Sequence, residues 1–188
     1  MDIEKAKRTL ESLGIPRQWY SFEYVDSYDD VSILVKDGAV WKEYGLTRGT
    51  LKLAGVFHSE SDACIYLIEE LYSAHHSDTE WRPVSTRNYD QSAPFRFDIA
   101  YYRKFLAQLG VDPNRFELSG TISNGRFVMQ NENDGWAVWF EDNGRQLHKA
   151  WFSSCHDSVY YIKSMLIPRP WKEKGDGVWF PPPGSTPT

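Results

Sequence analysis

The residue types able to do chemistry are thinly spread through this chain of 188 residues. His75 and His76 stand near Asp78 and Glu80, a set with the makings of a metal chelate. Adjacent histidines on an extended chain point to opposite sides, so they grip one ion poorly. Cys155, His156 and Asp157 are a second cluster, preceded by Ser154. The related stretch Glu60-Ser61-Asp62 has neither thiol nor imidazole. Helix capping, which both stretches could do, is the better account. Acids concentrate at 23–30 (EYVDSYDD) and 131–142 (NENDGWAVWFED). Paired carboxylates can do acid/base work, but Asp and Asn at turns need only a backbone reason. Nucleophilic catalysis requires a Ser or Cys beside a base. The chain has no G-x-S-x-G elbow, H-E-x-x-H pair, P-loop or G-x-G-x-x-G turn. The reading is a non-enzyme with no catalytic residues, no metal site and no cofactor.

The elements that would position these residues are written twice. Residues 57–71 read FHSESDACIYLIEEL and residues 152–166 read FSSCHDSVYYIKSML. Ser59 with Asp62, and Ser154 with Asp157, are helix-start signals, because a Ser side chain accepts orphan N–H groups and an acid suits the positive helix end. Ala63, Leu67 and Leu71 then mark one apolar stripe at helical spacing. Upstream, LESLGIPRQWY (10–20) matches LAQLGVDPNRF (106–116). Asp2 is expected to cap a helix carrying Ile3, Ala6, Leu10 and Leu13; Asp98 is expected to cap one carrying Ile99, Tyr102, Leu106 and Leu109. Gly14 and Gly110 supply the left-handed residue that ends each helix, and Pro16 and Pro113 stop its continuation.

Between the helices each copy reads as a meander. Strands are expected at 19–25, 31–36, 39–44 and 50–57, and again at 115–118, 126–131, 136–141 and 146–152. Asp37-Gly38 has the composition of a type I′ hairpin turn, and Asp134-Gly135 and Asn143-Gly144 mark further turns. The fold class is α+β: a tandem duplication of a helix–antiparallel meander–helix unit, with helices packed on small antiparallel sheets. The expected organisation is a first repeat at 1–72, a bridge at 73–96, a second repeat at 97–167 and a Pro/Gly-rich tail at 168–188. Units this small are marginal alone, so they should pack together.

Net charge is −5, which disfavours nucleic acid as a partner. The N-terminal stretch is charged, and no apolar run approaches a bilayer span, so neither a signal peptide nor a membrane partner is expected. Cys64 falls on a predicted buried helix face and Cys155 in a first helical turn; free thiols fit a reducing cytoplasm. Aromatics are abundant, with 8 Trp, 11 Tyr and 10 Phe. Trp41, Tyr44, Trp136, Trp139 and Phe140 read as sheet core. Trp81, Tyr89 and Asp90 in the bridge, with Asp29 and Asp30 before the second strand, read as an acidic–aromatic patch for a protein partner.

Gly14-Ile15-Pro16, Tyr20-Ser21, Trp41 with Tyr44, Arg48-Gly49, and Phe57 through Leu67 form a series that resembles small immunity proteins (antitoxins) of bacterial polymorphic toxins. The likeness covers most of 3–71 and, more weakly, 99–166, where Asn143-Gly144 replaces the Arg-Gly pair. Within that group the sequence is most similar to immunity factors for toxins like the tuberculosis necrotizing toxin, an NAD-glycohydrolase. The resemblance implies a cytoplasmic protein that binds the catalytic domain of a cognate toxin and blocks its active site. The alternative is an enzymatic or small-ligand domain with a pocket between the repeats, which a cleft gathering His58, Glu60 and Asp62 would favour.

Overall fold

The computed structural model describes residues 1–25, 30–76, 99–132, 134–169 and 171–172. The fold is α+β, with helices on one face of a mixed sheet. The chain begins with α1 (Ile3–Ser12), β1 (Tyr20–Ser21), β2 (Val31–Asp37), β3 (Val40–Thr47), β4 (Thr50–Phe57) and α2 (Glu60–His75). It continues with α3 (Ile99–Gln108), β5 (Phe116–Glu117), β6 (Arg126–Glu132), β7 (Gly135–Asp142), β8 (Arg145–Phe152) and α4 (Cys155–Leu166). The element order of the first half thus recurs in the second. Helix α2 runs three residues past the expected boundary at 72.

Helix ends follow their local chemistry. Asp2 accepts the Lys5 N–H at 2.8 Å and starts α1. Gly14 has a φ of 72°, and the N–H groups of Gly14 and Ile15 reach back to the carbonyls of Glu11 and Leu10. Gly110 and Val111 make the same closure onto Ala107 and Leu106. Each is a Schellman ending in which the residue after Gly becomes apolar cover; Ile15 and Val111 are buried. Asp98, expected to cap α3, lies outside the described residues. Along α3 the buried face is Tyr102, Phe105 and Leu106, whereas Leu109 is exposed.

The sheet differs from expectation. Two separate small antiparallel sheets would each leave a long open edge, which exposes unpaired backbone groups. Instead β4 pairs antiparallel with β8, with Gly55 opposite Phe152 and Phe57 opposite Ala150. The result is one eight-stranded sheet in the order β1-β2-β3-β4-β8-β7-β6-β5. That order is a palindrome about the β4–β8 seam. The outermost strands are short and parallel to their neighbours, so the sheet is mixed and each meander covers only its inner three strands.

The turn chemistry also needs one correction. The true type I′ signature falls on Arg48-Gly49 and Asn143-Gly144, where both central residues have positive φ. At the turn after β2 only Gly38 has positive φ, at the first central position, the pattern of type II′. Asp37 stays in strand β2 and pairs with Lys42 at 2.5 Å. Gly135 serves close approach rather than a turn: a Cβ there would lie 2.2 Å from the Trp151 ring.

At the seam, Phe57, Tyr66, Phe152 and Tyr161 form a four-ring cluster with centroids 5.3–6.3 Å apart. These are two equivalent pairs from the repeated sentence. Helices α2 and α4 lie over them and are buried around most of their circumference, rather than along one stripe. An all-round contact surface arises because α2 meets the sheet, α1 and α4 together. The opposite sheet face carries two smaller clusters. One is Val31, Ile33, Val35 and Leu46 with Tyr44; the other is Val128, Ala137 and Trp139. Trp41 belongs to the main core, with Trp136 and Phe140 packed against it. No helix among the described residues is long and apolar enough to cross a membrane.

Candidate functional site

The polar chemistry inside this fold gathers at the seam. Ser59 and Ser154 accept the N–H groups of Asp62 and Asp157, as the two helix-start signals require. Each aspartate is thereby held at the first turn of its helix and is buried. Each also acts on the tyrosine of the other helix: Asp62 on Tyr161, and Asp157 on Tyr66. Burial and these neighbouring carboxylates push both phenols well above their ordinary range.

Beyond that cross-pairing the surroundings diverge. Asp62 meets His148, whose Nδ1 lies 3.0 and 3.1 Å from the two carboxylate oxygens. His148 has a φ of 52°, a left-handed conformation uncommon for a residue with a side chain. Tyr161 donates to its backbone carbonyl at 2.9 Å. A carboxylate on one ring nitrogen fixes the imidazole and leaves the other as the proton-accepting nitrogen. Such a dyad is suited to proton transfer. The matching position in the first half is Leu53.

Asp157 meets acids instead. Ser154 donates to its Oδ2 at 2.7 Å. Beside it lie Glu70 of α2 and Glu43 of β3, both buried. The Ser32 hydroxyl donates to Glu70 at 3.4 Å. Burial, with Glu70 adding its charge, pushes the Asp157 carboxyl up to about 7 against the Ser154 hydrogen bond. Burial first, then Glu70, holds Glu43 well above the usual carboxylate range.

A third polar group centres on Glu69, about two turns along α2 from Asp62 and adjacent in sequence to Glu70. Glu69 is wholly buried, takes Arg169 Nε on both oxygens at 3.0 Å, and lies 3.4 Å from Lys163 Nζ. The Tyr160 hydroxyl donates to the Glu69 carbonyl at 2.7 Å and lies 2.6 Å from the Ser73 hydroxyl. This network ties the chain after α4 back onto α2.

Of the residues the sequence singles out, Asp30 is exposed at the start of β2. Asp29, Trp81, Tyr89 and Asp90 lie outside the described residues. Near Asp30 in the chain, Glu23, Tyr24 and Val25 are exposed; Tyr24 is 60% accessible and its ring lies 5.9 Å from Tyr44. His58, Glu60 and Asp62 do not converge on a common point. Glu60 accepts the Ile3 N–H at 3.0 Å, Asp62 takes His148, and His58 is exposed. His76 stacks on Tyr72 and His75 packs against Trp19. Among the described residues no group of three or more His, Cys, Asp or Glu could hold a metal ion. Burial pushes both thiols up to about 12, so neither is a ready nucleophile.

His148, Glu43, Glu70, Lys163 and Arg169 have no local motif. Glu43 alone carries a readable signal, since it alternates with the inward Trp41 on a strand and so predicts a buried acid. Set against family models, curated proteins and solved structures, the chain has no match.

Proposed function

We propose that the protein is an immunity protein that binds the catalytic domain of a bacterial toxin and covers its active site. The observation that carries this reading is an exposed acidic and aromatic stretch next to the short outer strand β1: Glu23, Tyr24, Val25 and Asp30 are exposed, and Tyr24 stands beside Tyr44 of the eight-stranded sheet. Amphipathic rings offer large contact area at low ordering cost. Acids beside them speed encounter with a basic cleft. The resemblance of residues 3–71 to immunity proteins adds to this and suggests an NAD-glycohydrolase as the toxin. The two halves, with the same element order, the same helix endings and paired core rings, are best understood as one duplicated unit.

The test is to mix the purified chain with the toxin domain encoded next to its gene and follow NAD hydrolysis. Stoichiometric loss of activity and a Kd on the order of 1 nM or tighter are expected. Full toxin activity at excess protein would reject the proposal. Tyr24→Ala should weaken the complex at least tenfold without altering the fold.

A second reading rests on one specific observation, the Asp62–His148 dyad on a left-handed backbone. Strain of that kind gathers at functional sites, and the dyad could serve a small ligand at the seam. His148→Asn discriminates: it should leave toxin inhibition intact if the immunity reading holds.

A further inference from the structure

We propose that Glu43, Glu70 and Asp157 form a proton-loaded lock across the seam, which holds at least one proton at neutral pH and releases it to solvent when the two halves part. The three acids come from three elements, β3, α2 and α4, and the last two belong to different halves. Glu43 lies beside Glu70, and each acts on the other's charge. Two buried carboxylates side by side repel each other when both are charged, which favours a proton on one of them. Glu43 is the one suited to carry it. It is only 2% exposed, and its Oε2 has no hydrogen-bond partner among the described residues. An orphan oxygen is costly on a carboxylate and far cheaper on a neutral acid. Glu70, by contrast, takes the Ser32 hydroxyl, which suits the charged partner.

The groups facing this cluster reinforce the bound proton. From α2 comes Tyr66 and from α4 comes Tyr160, both weakly acidic phenols. The nearby cations Lys163 and Arg169 are bound to Glu69 instead. The positive end of α4 favours charge on Asp157, as does Ser154, but burial and Glu70 outweigh them. The positions matching Ser32, Glu43 and Glu70 in the second half are Phe127, Val138 and Met165, all buried. The fold therefore tolerates apolar side chains at these places, and the acids are an addition on one side only.

Calorimetric unfolding of the full chain at pH 7.5, in buffers of different ionisation enthalpy, counts the protons released. Wild type should release about one proton more than Glu43→Gln, whose amide keeps the shape of the acid without titrating. Glu43→Val, which copies Val138, should show the same deficit and repeats the comparison if the Gln variant is poorly folded. Equal release by wild type and a folded variant would overturn the proposal. So would failure of both variants to fold, since a neutral side chain could then not replace the protonated acid.

Discussion

Asp62 and Asp157 hold the same place in the matching stretches 57–71 and 152–166, yet they live in opposite surroundings. Each is capped by its serine, each is buried, and each acts on the tyrosine of the other helix. Asp62 faces an imidazole from β8; Asp157 faces two more carboxyls from β3 and α2. The capping role is set locally and is present in both halves. The electrostatic role is set by residues that approach across the seam, and there the two halves differ. Identical sequence signals therefore specify identical backbone but not identical chemistry.

Removing the shared floor should break the comparison by harming both sides. Phe57→Ala or Phe152→Ala should each cost about 3–5 kcal/mol in denaturant unfolding, because a fully buried ring is lost from the four-ring cluster. Unequal losses would show that one half carries the seam alone. Stripping the partner from Asp62 comes next. His148→Ala should cost roughly 2 kcal/mol at neutral pH, since it leaves a buried acid without its main partner. His148→Asn should recover part of that loss, because Asn tolerates the left-handed backbone and can still donate a hydrogen bond.

The opposite sign is expected on the other side. The folded value of Asp157, about 7, lies above its ordinary 3.8. The folded chain thus keeps a proton that the unfolded chain gives up. The stability this brings is full below about pH 4 and is lost as pH rises through about 7. Asp157→Asn should flatten that decline and raise stability at pH 8 by on the order of 1 kcal/mol, or about 2–4 °C in Tm. Thermal melts between pH 5 and 8 check it. The smallest effects belong to the caps. Ser59→Ala should cost about 0.5–1 kcal/mol. Ser154→Ala should cost slightly more at pH 8, where its hydroxyl also serves the Asp157 carboxylate.

These contrasts mirror what could be read from the chain beforehand. The caps at Asp2, Ser59 and Ser154, the glycine endings at Gly14 and Gly110 and the hairpin at Asn143-Gly144 are local, and a few neighbouring residues determine them. The union of β4 with β8 was not legible, because it joins residues 57 and 150 and has no turn to announce it. Nor was His148, whose partner lies 86 positions away. Burial of Glu69 and Glu70 was hidden by their place in an ordinary-looking helix: α4 and the segment after it enclose Glu69, and strands β2 and β3 meet Glu70. Of the patch expected at Trp81, Tyr89, Asp90, Asp29 and Asp30, Asp30 alone lies among the described residues, where it is exposed.

The most direct measurement follows the Asp157 carboxyl carbon by ¹³C NMR through a pH titration, with Asp157→Asn to assign the signal. A midpoint near 7 is predicted. A midpoint near the ordinary aspartate value of 3.8 would contradict the claim that the seam gives two equivalent aspartates different lives.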